Sequence, residues 1–228
     1  MLTKKKKLSK KEIKQDKLVE TYYKAYSFFE QNSQRVILYG GIFVAVILAA
    51  IFYVKHKSQQ NQLAGVELSR VMNMYDSGNY MEAIQGRPGT PIIGLKKIVD
   101  EYGSTENGET AKIYLANAYS FQNKMEDAYK YYSDYSGSIS MYEATAYAGQ
   151  GAYFVDKKEF EKAAEMYTKA AHTSDQDVLD AEYLLKAGIN YMKAGQNKEA
   201  KESFDKVKKD YENSAAARDV QKYLVQLN

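Results

Sequence analysis

The chain has 228 residues, of which 27% are charged, with 32 Lys or Arg against 29 Asp or Glu. That length allows one soluble domain of about 170 residues together with an anchor. Because the sequence has no cysteine, a disulfide framework and a thiolate metal site are excluded. The first 35 residues hold ten basic and four acidic residues, which leaves 22 basic and 25 acidic residues for the remainder. We therefore expect no nucleic-acid-binding surface on the larger part.

Residues 1–35 are predicted to form a basic cytoplasmic tail. Lysines are dense from Lys4 to Lys17, and a helix is expected from about Ser9 to Gln31. Four apolar residues recur there at spacings of four, four and three, namely Leu18, Tyr22, Tyr26 and Phe29. Such a stripe suits the membrane surface or a partner helix. The lysines suit contact with anionic lipid or ribosomal RNA, or a role in topology alone, which we favour.

The segment from Val36 to Val54 has no charge, amide or proline. As a helix it is about 28 Å long, close to the thickness of a bilayer core, and we predict that it spans the membrane once. Basic flanks stay in the cytoplasm, so residues 55–228 are expected outside it. A cleaved signal peptide is the alternative. We favour an uncleaved anchor, because the basic region and the apolar core are both long and no small-residue cleavage site follows.

The outer part contains an internal repeat centred on three alanines, 35 and 37 residues apart. A small residue lies twelve positions before each alanine, and aromatic residues lie nine before and four after. In chain order the sets are Ala116, Tyr119, Ala128 and Tyr132; Gly151, Phe154, Ala163 and Tyr167; Gly188, Tyr191, Ala200 and Phe204. This spacing predicts pairs of antiparallel helices that stack into an α-solenoid, with the small residue of the first helix facing the alanine of the second so that the two backbones approach closely. Turns are expected near Asn123, Lys157 and Gln196.

The pattern resembles the tetratricopeptide repeat, which it matches three times. The family's tryptophan is replaced by Lys112, Tyr147 and Leu184, and the closing proline is missing. The resemblance implies an α-solenoid of about four tetratricopeptide helix pairs with a C-terminal capping helix. Together with the predicted N-terminal transmembrane helix, this gives an all-α protein.

The expected boundaries divide the extracytoplasmic domain, 55–228, into five segments. They are a degenerate repeat at 62–104, repeats at 109–140, 144–175 and 181–212, and a cap at 214–228. In the degenerate repeat the segment Gly86–Pro91 must end a helix, and helix is expected to resume at about Ile92. This insert is either a partner loop or, as we favour, a tolerated surface loop. Ser214 is the expected N-cap of the last helix, which either caps the solenoid or mediates dimerisation.

No catalytic constellation is present in the sequence. Neither His56 nor His172 has a carboxylate or cysteine at metal-ligand spacing. We therefore predict no cofactor, no metal and no enzymatic activity. The tyrosine-rich stretch Tyr129–Tyr135 is interpreted either as a binding anchor or as extra packing within the solenoid.

In tetratricopeptide domains the first helix of each pair lines a concave groove that binds protein segments. The resemblance implies these groove residues: Ile113, Asn117, Ser120, Phe121, Ala148, Ala152, Val155, Leu185, Ile189 and Met192. Most are apolar, and the lysine clamp of some family members is absent. We therefore expect a groove for apolar or extended protein segments.

The whole layout, including the stretch Leu95–Gly103, resembles the YfgM-type ancillary proteins of the bacterial Sec translocon. The resemblance implies a single-pass protein of the bacterial inner membrane with a periplasmic domain. The implied partners are translocon subunits, secreted clients or chaperones, and no nucleic acid. The oligomeric state is left open. Two alternatives are a scaffold subunit of a complex for cell-wall or outer-membrane assembly, and a ribosome or nucleic-acid tether acting through the tail.

Overall fold

A computed structural model describes residues 10–174 and 177–227, without the side chains of residues 10–16 and Asp177. The predicted lipid contact of Lys4 to Lys17 therefore lies almost wholly outside the described side chains. The chain divides into two compact units, Met1–His56 and Lys57–Asn228. In the described residues the regular structure is helical, apart from one isolated antiparallel bridge between Gly86 and Ile93. The all-α prediction is confirmed for this part of the chain.

In the first unit, the described residues belong to helix α1, Lys10–Asp76. At Asn32 the backbone leaves helical geometry, with φ −121° and ψ 18°. The Asn32 Nδ2 atom donates to the Phe28 carbonyl at 3.1 Å. An asparagine side chain that takes a backbone partner in this way competes with the helical ladder, which explains a break at this residue.

Helix α1 also contains a stretch that is long and apolar enough to cross a membrane. Its most apolar 18 residues have a mean hydropathy of 2.5, and none of them is buried in the protein. The side chains of Ile37, Phe43, Leu48 and Phe52 are all exposed. Exposed apolar side chains over this length suit a lipid environment, so the finding is compatible with a single-pass anchor.

The second unit begins at Lys57 and contains nine further helices among its described residues. They are α2 (Tyr80–Gln85), α3 (Leu95–Tyr102), α4 (Glu106–Phe121), α5 (Met125–Ser133), α6 (Ser140–Asp156), α7 (Phe160–Thr173), α8 (Asp177–Lys193), α9 (Asn197–Asp210) and α10 (Ala215–Leu224). From α2 to α10, each helix packs on the next. In addition, α2 packs on α4, α4 on α6 and α8 on α10. Short connections between successive helices favour this neighbour-to-neighbour packing.

The same turn occurs four times in this unit. Its central residue has a positive φ of 59° to 77°, and the next N–H donates to the carbonyl five residues earlier at 2.9 Å. The central residues are Gly78, Asn123, Lys158 and Gly195. This is the hydrogen-bonding pattern of a helix that ends in a left-handed residue. Four residues after each donor lies a fully buried alanine, in order Ala83, Ala128, Ala163 and Ala200. The helix-pair prediction is therefore matched by four hairpins with one local geometry.

The Gly86–Pro91 insert ends α2, as expected, but the next helix begins later than predicted. Thr90 N donates to the Arg87 carbonyl at 3.2 Å across the Pro–Gly pair, and Gly89 has a φ of 76°. Helix α3 starts at Leu95 instead of Ile92, because the chain first pairs Gly86 with Ile93 in the antiparallel bridge. The bridge uses extended backbone that a helix cannot supply.

Helix α10 closes the C-terminal end of the unit. The Ser214 Oγ atom accepts a hydrogen bond from Ala217 N at 3.0 Å, which confirms the predicted N-cap. Val220 is fully buried, and the ring of Tyr223 stacks on that of Phe204 with centroids 5.4 Å apart. Helix α10 therefore covers apolar side chains that α8 and α9 would otherwise expose.

Glycines allow the two helices of a hairpin to approach closely. A Cβ atom on Gly188 of α8 would overlap the ring of Phe204 of α9, and one on Gly151 of α6 would lie 3.1 Å from the ring of Tyr167 of α7. The sequence predicted that these glycines face the repeat alanines. The nearest atoms to a Cβ at both positions instead belong to the aromatic side chain four residues after the alanine. A ring of the partner helix thus fills the space that a side chain would occupy at each glycine.

Candidate protein-interaction groove

The predicted groove residues lie on α4, α6 and α8, the first helices of the three clear pairs. Because α4 contacts α6, the residues on these two helices are brought onto neighbouring elements. Most of the set is half-buried: Asn117, Ser120, Ala148, Ala152, Val155, Ile189 and Met192. A groove that runs across all three helices stays a prediction.

Two of the predicted groove residues belong to the hydrophobic core. Ile113 is 1% exposed and Leu185 is 7% exposed, and each belongs to a core cluster. Substitution at either position changes core packing, and a loss of binding there would not distinguish contact from folding. Binding tests therefore belong at the more accessible members of the set.

Phe121 is the most exposed of the predicted residues, at 63%. It is the last residue of α4, and its ring stacks on Tyr80 with centroids 4.7 Å apart. One ring face is thus held by the protein while most of the side chain remains accessible. A preorganised, accessible aromatic ring is a typical anchor for a protein partner.

Asn117 has a different role, because its side chain is partly engaged within the hairpin. The Tyr132 hydroxyl donates to Asn117 Oδ1 at 2.6 Å. Tyr132 is buried, and burial is the main cause that raises the pKa of its hydroxyl above the usual range. The bond satisfies a buried polar group and ties α5 to α4.

A series of aromatic rings extends from Phe121 and was not predicted from the sequence. Successive centroids lie 4.7, 5.5, 5.1 and 6.3 Å apart along Phe121, Tyr80, Tyr75, Tyr114 and Tyr142. We call these five residues the aromatic series. They come from α1, α2, α4 and the first turn of α6. One signal was readable: Tyr114, Asn117 and Phe121 are three and four residues apart and so share one face of a helix.

Two tyrosines of this series, Tyr75 and Tyr114, have a raised pKa, and burial is the main cause in both. Burial raises the pKa of Tyr114 to about 12, and its hydrogen bond with Tyr142 acts in the same direction. Burial also raises the pKa of Tyr75, while Asn117 lowers it in part. The phenols of Tyr75 and Tyr114 are therefore neutral at physiological pH, and they offer uncharged rings and hydroxyls.

The tyrosine-rich stretch of α5 is used mainly for packing. Tyr131 and Tyr132 are buried, and Tyr129 stacks on Tyr153 of α6 with centroids 4.2 Å apart. Tyr153 donates to Glu126 at 2.8 Å. Of the two interpretations of this stretch, the structure supports contact between neighbouring helices.

An ionic cluster surrounds Lys112, at the position where the tetratricopeptide repeat pattern has a tryptophan. The Lys112 Nζ atom lies 2.9 Å from Glu109 Oε1, 2.9 Å from Asp134 Oδ2 and 3.0 Å from the Asp134 carbonyl. Glu109 also accepts from the backbone N–H and the hydroxyl of Ser136, each at 2.9 Å. The cluster joins α4 to the end of α5 and the loop that follows it.

Lys112 and Glu109 are both buried. Burial lowers the pKa of Lys112, but its hydrogen bonds to Asp134 and Glu109 outweigh that effect and raise the pKa above the usual value. A cavity of about 650 Å³ borders the cluster, and its lining includes Asp100, Glu101 and Lys130. Because all three ammonium hydrogens of Lys112 have acceptors within the protein, we assign the cluster a structural role.

Comparison with models of known protein families, with curated proteins and with solved structures found no match. The described residues define an all-helical protein with one candidate membrane-spanning helix and a unit of repeated helix hairpins. In the second unit, Phe121 provides an accessible aromatic side chain that is held in place by Tyr80.

Proposed function

We propose that this protein is a membrane-anchored, non-enzymatic adaptor whose outer unit is a tetratricopeptide-type solenoid that binds protein segments. The observation that carries the proposal is the fourfold recurrence of one hairpin turn after a single exposed apolar helix. Stacked hairpins of this kind present extended surfaces for partner proteins.

The partners we propose are subunits of the bacterial Sec translocon and the secreted proteins that emerge from it, with transfer to chaperones outside the membrane. The layout of basic tail, predicted span and repeat unit resembles that of the YfgM-type proteins, and this resemblance favours the assignment. Anchoring also suits a weak binder, because confinement at the membrane raises its effective concentration near an exit site.

Phe121 and the aromatic series are the proposed contact surface. An emerging chain is extended and exposes apolar side chains, and neutral rings already held by their neighbours bind such side chains with little loss of their own conformational freedom. The half-buried Ile189 and Met192 on α8 extend the apolar character of the predicted groove.

The test is site-specific photo-crosslinking in the native membrane, with a crosslinking amino acid at Phe121 of the full-length chain and identification of products by mass spectrometry. The matched control is Val225, which is similarly exposed at 66% but lies just after α10. We expect translocon subunits and many different secreted chains to crosslink at position 121, with few at position 225.

Two results would replace the adaptor proposal. Capture of one envelope complex at fixed stoichiometry would indicate a scaffold for cell-wall or outer-membrane assembly. Lys4 to Lys11 can also be deleted. If the deletion abolishes the protein's function in the cell while the crosslinks at position 121 are unchanged, the protein is a ribosome or nucleic-acid tether. Phe121→Ala separates binding from folding, because an accessible ring can be truncated at little cost to the core.

A further inference from the structure

The helix that precedes the membrane segment has an apolar arc with no protein partner in its own unit. Between residues 17 and 31, six apolar residues fall within an arc of roughly 120° on a regular helix, and no polar residue of this stretch falls among them. They are Leu18, Val19, Tyr22, Ala25, Tyr26 and Phe29. Five of these side chains are large, and all five are between 48% and 68% exposed.

The opposite side of the same helix is polar. Lys17, Glu20, Lys24, Ser27 and Gln31 lie there. Lys24 pairs with Glu20 at 2.6 Å, and both side chains are exposed. A helix with one apolar arc and one charged face is the type that lies in the plane of a membrane interface, and tyrosine suits the headgroup layer.

Chain connectivity specifies what covers the arc. Phe29 is seven residues before Val36, where the apolar membrane segment starts. Even a fully extended linker of that length reaches only about 25 Å. The arc is therefore held beside whichever bilayer surface the span enters, and its effective concentration there is high.

The break at Asn32 supplies the change in direction that such a placement needs. An unbroken helix would carry residues 18–29 away from the bilayer along the axis of the span. At Asn32 the backbone leaves helical geometry, and the side chain of this residue bonds the Phe28 carbonyl. The break lies between the amphipathic helix and the membrane segment, where a surface helix has to turn.

Charge identifies the type of surface. The ten basic and four acidic residues of the first 35 give this tail a charge of +6. A bilayer rich in anionic phospholipid attracts such a tail, by about fivefold in the association constant per lysine near the surface. We propose that residues 18–31 form an interfacial helix in the headgroup layer of an anionic bilayer leaflet, with the six-residue arc facing the acyl chains.

The test uses single cysteines, which the absence of native cysteine makes specific. Full-length protein carrying Tyr22→Cys or Tyr26→Cys is placed in nanodiscs, one chain per disc, and the rate of labelling by a water-soluble maleimide is measured. Lys24→Cys and Ser27→Cys are the matched controls on the polar face. In discs with phosphatidylglycerol we expect labelling at positions 22 and 26 to be about tenfold slower than at 24 and 27.

Two further variants check the mechanism. Changing Lys10, Lys11 and Lys14 together to Gln lowers the tail charge to +3, weakens surface association by about a hundredfold and should remove the protection at position 22. The same change at Lys96, Lys97 and Lys198 of the outer unit should leave it intact. Asn32→Ala should also raise the rate at position 22, because the helix then continues straight into water.

Equal labelling rates on both faces would overturn the proposal. Protection that is the same in purely zwitterionic discs would overturn its requirement for an anionic surface. Protection that appears only with two chains per disc would show that a second copy covers the arc, and this too would overturn the proposal. None of these outcomes depends on what the outer unit binds.

Discussion

The close fit between Gly188 and Phe204 makes a sharp prediction about the last hairpin. Gly188→Ala adds a Cβ atom that overlaps the fully buried Phe204 ring. Overpacking a core of this kind costs about 1–3 kcal/mol. Replacing glycine by alanine inside a helix returns about 1 kcal/mol through propensity. We therefore expect a net loss of about 0–2 kcal/mol in the free energy of unfolding.

The assay is urea unfolding of residues 57–228, which form a compact unit of their own, followed by circular dichroism at 222 nm. Phe204→Leu opens space at the ring and costs stability by itself. The double variant should lose less than the sum of the two single losses, with a coupling of about 1 kcal/mol. Gly151→Ala is the matched control, since its Cβ atom would lie 3.1 Å from Tyr167 and needs a smaller adjustment.

Additive losses in the double variant would refute this reasoning, because they would mean that the alanine methyl and the Phe204 ring do not compete for one space. A stabilising Gly188→Ala would refute it as well. In that case helix propensity would dominate, and the glycine would not be needed for the approach of α8 to α9.

Three further predictions use the same unfolding assay. Burial raises the pKa of Tyr167 to about 12. Above pH 10 the folded chain therefore keeps the phenolic proton that the unfolded chain loses. The free energy of unfolding falls as the pH rises from 10 to 12. Tyr167→Phe should remove about 2–3 kcal/mol of that fall, and parallel pH profiles for both chains would contradict this. Lys112→Met should cost about 3–5 kcal/mol by leaving buried Glu109 without its cation, and adding Glu109→Gln should restore part of the loss. Gly195 and Lys158 both have a left-handed φ. Gly195→Ala should therefore destabilise the unit by about 1 kcal/mol, and Lys158→Gly should stabilise it by a similar amount. Changes of the opposite sign would argue against the shared turn geometry.

Local features were the most predictable part of this fold. The positions of the turns, the N-cap at Ser214 and the end of α2 before Gly86 all follow from chemistry within a few residues. The repeat alanines, which the pattern placed at the contact between paired helices, are fully buried. These features depend on helix periodicity and turn chemistry, which neighbouring residues determine.

The candidate site was less predictable, because accessibility depends on how far each helix is rotated against its neighbours. A family pattern placed Ile113 and Phe121 in the same groove, yet one is buried and the other exposed. The aromatic series joins residues as distant in sequence as Tyr75 and Tyr142, and no local spacing links them. A repeat pattern therefore predicts which helices line a groove, but it does not decide which of their side chains are accessible.

The sequence by itself determined that this is a helical protein, with one segment apolar enough for a membrane and a recurring helix pair. Those properties follow from composition and periodicity along the chain. The tertiary structure alone decided that Gly188 accommodates a ring, that Lys112 forms a buried ion pair, and that Phe121 stays accessible on its Tyr80 support. Each of these depends on the distance between helices that the chain brings together only after it has folded.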